Sequence, residues 1–151
     1  MLRPTSEQDE LRQLLQLGAI LTVSSQNDAA VLNGVAQELG VQAEVHVKID
    51  TGMGRYGFLP DELDQLLPIF RYMPGLHVTG IYTHLHSAFC SQKATIAQAE
   101  AFQGVLDQLH AADCETGMAH MLNSAGLLKY PQYAMDGVRV GSAILGRVSV
   151  R

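Results

Sequence analysis

The sequence VHVKIDTGMGRYGF, which occupies residues 45–58, carries the strongest indication of a fold. It begins with a short apolar run that ends at Ile49, a pattern typical of a strand covered on both faces. The next eight residues include three glycines and Arg55, and the backbone of such a loop can approach a ligand closely. Taken alone, the loop has two interpretations. It is a ligand-binding loop, or it is a surface turn on which Lys48 and Arg55 are solvated.

Apolar, β-rich runs recur along the chain, at residues 19–23, 43–49, 76–82, 118–122 and 137–145. Helical patterns lie between them. The helix after the first run is expected to begin at Ser24 or Ser25 and to stop at Gly40, and the later helices begin near Pro60, Ser91 and Ser124. Strands that alternate with helices predict a parallel sheet with right-handed crossovers. The sequence therefore predicts the α/β class.

Two parallel architectures fit this alternation, a doubly wound sheet and a (β/α)₈ TIM-type barrel. No GxGxxG motif follows the first strand, and the polar residues of interest lie at the carboxyl ends of several strands, where barrel enzymes carry their chemistry. We therefore predict a barrel. Five strands do not close one, and a barrel usually needs about 250 residues, so we expect a partial barrel that lacks about 100 residues.

Composition excludes several classes of protein. The 151 residues are 47% hydrophobic and 17% charged, which predicts one soluble domain, and the net charge of −5 offers no basic surface for nucleic acid or an anionic membrane. Cys90 and Cys114 lack CxxC spacing, so neither a disulfide framework nor a metal site is expected. No signal-like segment or membrane-length apolar run is present, and we expect a cytoplasmic protein.

The pattern HxKxDTGMGRxGF in residues 46–58 is similar to the signature of the alanine racemase family, whose members depend on pyridoxal 5'-phosphate (PLP). The resemblance implies that Lys48 is carbamylated and orients Arg55. It also implies that Arg55 contacts the substrate carboxylate and the phenolic oxygen of the cofactor, a task that suits a planar guanidinium. Asp50 is expected to hold the glycine turn by accepting backbone N–H bonds.

The triplet Tyr82-Thr83-His84 resembles the next family motif. By that resemblance, His84 lies beside the pyridine ring, as a catalytic and cofactor-contacting residue. A histidine at the end of a strand is otherwise most often structural. No family role is assigned to the other five histidines, His46, His77, His86, His110 and His120.

Two further motifs concern the phosphate and the ring nitrogen. Asn123 and Ser124 follow an apolar strand and open a helix. Such residues bind an anion or form an ordinary helix cap. The resemblance implies that they bind the cofactor phosphate. The stretch from Arg139 to Gly146 resembles the family's VRxGxxxxG motif. It implies that Arg139 faces the pyridine nitrogen and that Gly141 and Ser142 bind phosphate. From the residues alone, the alternative for Arg139 is a salt bridge at the end of the strand.

Racemisation needs two further groups that this sequence does not offer. The family's cofactor-binding lysine lies in a string of the VxKANAYGHG kind, which is absent, and the lysines present are Lys48, Lys93 and Lys129. The tyrosine that serves as second base comes from the C-terminal β domain of a partner subunit. We therefore expect residues 1–151 to be a partial PLP-binding barrel domain without the first barrel strand or that β domain.

The resemblance implies racemisation of L-alanine to D-alanine, which supplies peptidoglycan synthesis, by a full-length homodimer. This chain alone is expected to be inactive. Three alternatives stay open: a serine or broad-specificity racemase, a non-catalytic module that binds PLP or another phosphate, and a remnant that is unstable alone because its sheet edges are exposed.

Overall fold

A computed structural model describes residues 3–147. It contains five helices, one 3₁₀ turn and five strands, in the order α1 (Gln8–Gln16), β1 (Leu21–Val23), α2 (Gln26–Glu38), β2 (Ala43–Lys48), α3 (Leu63–Arg71), β3 (Leu76–Tyr82), α4 (Gln92–Ala111), β4 (Met118–Asn123), α5 (Ser124–Lys129), the 3₁₀ turn (Pro131–Tyr133) and β5 (Gly137–Arg139). Strands and helices thus alternate as the apolar runs predict.

All five strands are parallel and belong to one sheet, in the spatial order β1-β2-β3-β4-β5. Each strand pairs with the next one along the chain. A doubly wound sheet reverses its strand order at a switch point, whereas a barrel adds strands around an axis in sequence order. The strand order therefore identifies an arc of a (β/α) barrel, and the prediction of a partial barrel is confirmed.

The main core lies between the outer face of the sheet and the helices. It contains strand residues such as Val45 and Val47, with helix residues such as Leu32, Leu66 and Phe102, all at most 2% exposed. Helices α2 and α4 begin at serine caps, where the side chains of Ser25 and Ser91 accept N–H bonds from the first turn.

The last strand is shorter than predicted. The apolar pattern indicated a strand over residues 137–145, but β5 ends at Arg139 and a turn follows. The cause is a contact with the preceding unit, because the hydroxyl of Ser124 accepts the N–H groups of Gly141 and Ala143. Those donors are drawn away from the sheet, so the stretch forms a loop at its carboxyl edge.

Within residues 3–147 no helix is long and apolar enough to span a membrane, and no group of three metal-ligating side chains is found. A groove of about 630 Å³ lies near Leu76 at the amino end of β3. Barrel enzymes carry their chemistry at the carboxyl ends of the strands, so this groove lies at the end of the sheet opposite to the expected active site.

Candidate active site

A cavity of about 270 Å³ opens at the carboxyl edge of the sheet. It brings together four of the residues selected from the sequence, Arg55, His84, Arg139 and Gly141. Two tyrosines and an aliphatic side chain complete its walls, namely Tyr56, Tyr82 and Val140. The walls thus combine cations, aromatic rings and a glycine backbone, which is the kind of lining that a planar, anionic ligand requires.

The loop after β2 is built on Asp50, as predicted. Its carboxylate accepts four backbone N–H bonds of 2.8–3.1 Å, from residues 52, 53, 54 and 55. Burial alone would raise the pKa of Asp50, but these bonds and the nearby Lys48 lower it. Gly57 closes the loop at a φ of 125°, where an added Cβ would lie 2.8 Å from the Asp50 nitrogen. The loop conformation is therefore fixed by one carboxylate and one glycine.

Lys48 is 1% exposed at the end of β2. Its Nζ donates a 2.7 Å bond to the Ile49 carbonyl and lies 5.7–5.8 Å from the ring centres of Tyr56 and Tyr82. Burial lowers its pKa to about 8, and repulsion from Arg55 and Arg139 acts in the same direction. A substantial fraction of neutral amine is therefore present near pH 8.

Arg55 lies on the exposed side of the cavity. Its guanidinium carbon is 4.7 Å from the centre of the Tyr56 ring, and its Nη2 donates to the Tyr56 hydroxyl at 3.2 Å. Lys48 Nζ lies 5.8 Å from the centre of the same ring, so Tyr56 interacts with both cations. The side chain of Arg55 has an aromatic support on one face and is accessible to an oxyanion.

His84 lines the cavity and carries a neutral ring at neutral pH. Burial, together with the cations Arg139, Arg55 and Lys48, lowers the pKa of His84 to about 4. A neutral imidazole that lines the cavity can lie beside an aromatic ligand, which is the position that the sequence motif implies for His84.

Gln98 of α4, which the sequence did not single out, fixes the backbone around His84. It is 2% exposed, its Nε2 donates to Thr51 Oγ1 and the His84 carbonyl at 3.0 Å, and its Oε1 accepts the His86 N–H at 3.0 Å. Thr51 in turn contacts the Thr83 hydroxyl at 2.7 Å. One buried amide thus joins the loops that follow β2 and β3.

Arg139 is held by oxygen and nitrogen acceptors of two neighbouring strands. Its Nη2 donates to the Thr83 carbonyl at 2.6 Å and its Nη1 to the His120 carbonyl at 3.1 Å, and Nη1 also contacts His120 Nδ1. The guanidinium carbon lies 4.9 Å from the centre of the Tyr82 ring. No carboxylate lies within 4.0 Å of Arg139 among residues 3–147, so a strand-end salt bridge is absent there.

His120 and His46 extend this arrangement, although no role was assigned to either from the sequence. His120 stacks on Tyr82 with ring centres 5.0 Å apart, and its Nε2 lies 2.8 Å from His46 Nδ1. The sequence did contain a signal for His46, because side chains alternate between the two faces of a strand. His46 is two positions before Lys48 in β2, and so points to the same face of the sheet.

The predicted phosphate residues form a second group at the same edge. Ser124 is buried at the first position of α5, and its Oγ accepts from Gly141 and Ala143 at 3.0 and 3.1 Å. Asn123 uses both ends of its amide within the protein, capping α5 at the Gly126 N–H and donating to the Leu85 carbonyl. Ser142 is exposed in the loop that Ser124 holds, and no acceptor for its N–H is found within residues 3–147.

Comparisons with known proteins agree with this geometry. The profile of the family described as "Alanine racemase, N-terminal domain" matches residues 1–148. Alanine racemase of Desulforamulus reducens is 36% identical over 141 residues, which are 91% of this chain and 38% of that protein. The corresponding protein of Chlorobaculum tepidum is 33% identical over 132 residues, 87% of this chain and 34% of that protein.

Solved structures show the same relationship. Alanine racemase of Clostridium difficile 630 in complex with cycloserine matches with a TM-score of 0.88 and 30% identity, over 93% of this chain and 39% of that chain. The Bacillus anthracis enzyme with bound L-Ala-P matches with a TM-score of 0.87 and 25% identity, over 99% and 38% of the two chains. This chain therefore spans less than two fifths of the length of these relatives. By its profile match, its relatives and its barrel arc, the chain belongs to the alanine racemase family, within the N-terminal domain.

Proposed function

We propose that this chain forms the phosphate- and carboxylate-binding part of a PLP-dependent alanine racemase, which interconverts L- and D-alanine. The observation that carries the proposal is the convergence of Arg55, His84 and Arg139 on one cavity, beside the Ser124 hydroxyl. The wider proposal, carried by family resemblance, is a cytoplasmic homodimer that supplies D-alanine for peptidoglycan.

The hydrogen-bond geometry at Ser124 fits the phosphate of PLP. A hydroxyl has two lone pairs and one proton, and both lone pairs of Ser124 are used by the N–H groups of Gly141 and Ala143. Its proton is therefore left to donate, and a phosphate oxygen is a strong acceptor. The exposed N–H of Ser142 supplies a second donor in the same loop.

The contacts of Arg139 fit the pyridine nitrogen. Within residues 3–147 its hydrogen bonds all involve Nη1 and Nη2, which leaves the Nε–H for a ligand. Arginine can only donate, so a ring nitrogen that faces it must be unprotonated. PLP, when bound, would supply the electron sink for removal of the α-proton, and Arg139 would moderate that sink. A moderated sink favours racemisation over transamination.

Lys48 is suited to carbamylation. The reaction needs a neutral amine, which attacks CO₂ and releases one proton as the N–C bond forms. Burial provides that amine by lowering the pKa of Lys48 to about 8. The product replaces a buried cation with an anion close to Arg55 and Arg139, whose repulsion it relieves. The resulting anion would hold Arg55 in the orientation needed for the substrate carboxylate.

Covalent attachment of the cofactor and transfer of the α-proton require groups other than those that line the cavity. No lysine other than the buried Lys48 lies near it within residues 3–147, since Lys93 is exposed on α4 and Lys129 donates to the Phe89 carbonyl. We therefore propose that the cofactor-binding lysine and the second base belong to other parts of the enzyme. On this view the 151 residues bind PLP without a covalent bond and do not racemise alanine.

A titration of the purified protein with PLP, followed by absorbance, tests the proposal. Borohydride reduction and mass analysis then report any covalent adduct, and a coupled assay reports D-alanine. We expect saturable binding that inorganic phosphate competes, without adduct or turnover. Ser124→Ala should weaken binding by roughly tenfold, the worth of one charge-assisted hydrogen bond. Ser91→Ala, which removes a helix cap that does not line the cavity, should leave affinity unchanged.

The possible failures differ in meaning. A folded protein that does not bind PLP, or binds it equally well after Ser124→Ala, would contradict the phosphate site. An adduct on Lys93 or Lys129 would overturn the proposal that the cofactor lysine lies elsewhere. Binding without any racemase activity in a longer protein that includes these residues would favour the non-catalytic alternative.

A further inference from the structure

A chain of three side chains crosses the inner face of the sheet, from β2 through β4 to β5. His46 Nδ1 lies 2.8 Å from His120 Nε2, and His120 Nδ1 contacts Arg139 Nη1. The intervening strand, β3, contributes Gly80 at this level, next to His46 in the strand register. The three polar side chains thus form one continuous hydrogen-bonded path.

The position of each proton in this path follows from the chemistry of arginine. A guanidinium has donors and no acceptor, so His120 Nδ1 must accept and carries no proton. A neutral His120 then carries its proton on Nε2 and donates it to His46 Nδ1. His46 in turn must carry its own proton on Nε2. The contact with Arg139 therefore requires the Nε2–H tautomer of both imidazoles.

The ring of His46 packs against the backbone of the neighbouring strand β3. An added Cβ at Gly80 would lie 2.6–2.7 Å from three atoms of that ring, so the ring lies directly against the Gly80 backbone. On its other side the ring meets His120, whose own ring is stacked on Tyr82 at an interplanar angle of 6°. The Gly80 backbone and the Tyr82 ring thus support the two imidazoles in addition to the hydrogen bond between them.

We propose that His46 is a positioning residue for Arg139. By accepting the Nε2–H of His120, His46 selects the His120 tautomer whose Nδ1 lone pair faces Arg139. The other tautomer would place an N–H against the guanidinium, and two donors would then oppose each other. The inference rests on the proposed function in one respect, namely that Arg139 faces the cofactor.

Burial and the neighbouring Arg139 lower the pKa of His120 to about 3, and burial also lowers the pKa of His46. Both rings are therefore neutral at pH 7, as the path requires. A protonated His120 would have no lone pair for Arg139. Its second N–H would repel the guanidinium, and Arg139 would keep only its bonds to backbone carbonyls.

The test is heteronuclear NMR of ¹⁵N-histidine-labelled protein at pH 7 without PLP, because two- and three-bond couplings report which ring nitrogen carries the proton. We expect His46 and His120 both to carry it on Nε2. His46→Leu, which cannot accept, should raise the Nδ1–H form of His120, and His46→Asn, whose amide oxygen can accept, should restore the original spectrum. His77→Leu, at an exposed position on β3, is the matched control.

A second readout connects the path to the cofactor. PLP affinity should fall roughly 3- to 10-fold in His46→Leu, the worth of one hydrogen bond, and recover in His46→Asn. A proton on Nδ1 of His120 in the unsubstituted protein overturns the inference even if no variant folds. An unchanged His120 spectrum in folded His46→Leu does so as well. If the tautomers are as expected but PLP does not bind, the positioning path stands and the proposed function fails.

Discussion

The loop that carries Arg55 should depend for its stability on the single carboxylate of Asp50. Its Oδ1 accepts three backbone N–H bonds and its Oδ2 accepts one, from the N–H of Arg55 itself. Asp50→Ala removes both acceptor oxygens and therefore all four bonds. The freed donors belong to a turn of glycines, in which the chain has little other reason to keep its conformation.

The magnitude follows from the number and exposure of these bonds. A hydrogen bond to a charged group contributes about 1.5–3 kcal/mol when it is buried. Asp50 is 7% exposed, but Gly52 and Gly54 are on the surface, where water can replace the lost acceptor. We therefore expect the free energy of unfolding to fall by about 2–4 kcal/mol, well below four times the single-bond value. Asp50→Asn keeps one oxygen but turns a donor towards the Arg55 N–H, and should cost about 1–2 kcal/mol.

Urea unfolding at pH 7 measures these changes, with amide hydrogen exchange of residues 52–55 as a local readout. Asp61→Ala is the matched control, because Asp61 is exposed after the same loop and should change stability by less than about 0.5 kcal/mol. If Asp50→Ala is as stable as the control and the four amides remain protected, the carboxylate does not hold the loop.

Three other perturbations follow from the same contacts. Gly57→Ala should cost at least 2 kcal/mol more than Gly54→Ala, because only the former places a Cβ 2.8 Å from backbone; equal unfolding midpoints would contradict this. Gln98→Leu leaves the buried His84 carbonyl without its donor and should cost about 2–4 kcal/mol in urea unfolding, a result that unchanged stability would refute. Acid should destabilise the protein through His120: its folded pKa of about 3 lies below its ordinary 6.5, so the unfolded chain binds the proton first and stability falls as pH drops below 6.5. At pH 5 the loss is about 2 kcal/mol at most, measured as the difference from His120→Asn between pH 7.5 and 5, and equal losses in both proteins would contradict it.

Much of the fold was predictable because its signals are local. Apolar runs of strand length and serine caps are properties of short segments, and the caps at Ser25 and Ser91 are found where such residues precede amphipathic patterns. The end of β5 was not predictable in this way. It depends on a hydroxyl at Ser124, 17 residues earlier, which competes with the sheet for the N–H of Gly141.

The residues of the candidate active site show the same difference between local and long-range signals. Lys48 and Arg55 could be selected from the sequence because they belong to one distinctive motif, which specifies many residues within a short segment. His46 and His120 could not, because a histidine takes its role from its partner, and theirs are 74 residues apart in sequence. Gln98 is a similar case, since its two loop partners lie 47 and 14 residues away.

The charge balance at the carboxyl edge gives an independent reason to expect an anion there. The protein has a net charge of −5, yet Lys48, Arg55 and Arg139 are near enough to one another for the last two to lower the pKa of the first. Within residues 3–147 the only ion pairs found belong to Arg12, so none of these three cations has a carboxylate within 4.0 Å. The one acidic group close by, Asp50, has its oxygens occupied by four backbone N–H bonds. Asp50 offsets part of the charge of Lys48, but the repulsion among the three cations remains, and a bound group with negative charge would relieve it. Three groups would reduce this repulsion: a carbamate on Lys48, a substrate carboxylate at Arg55 and an electron-rich ring at Arg139.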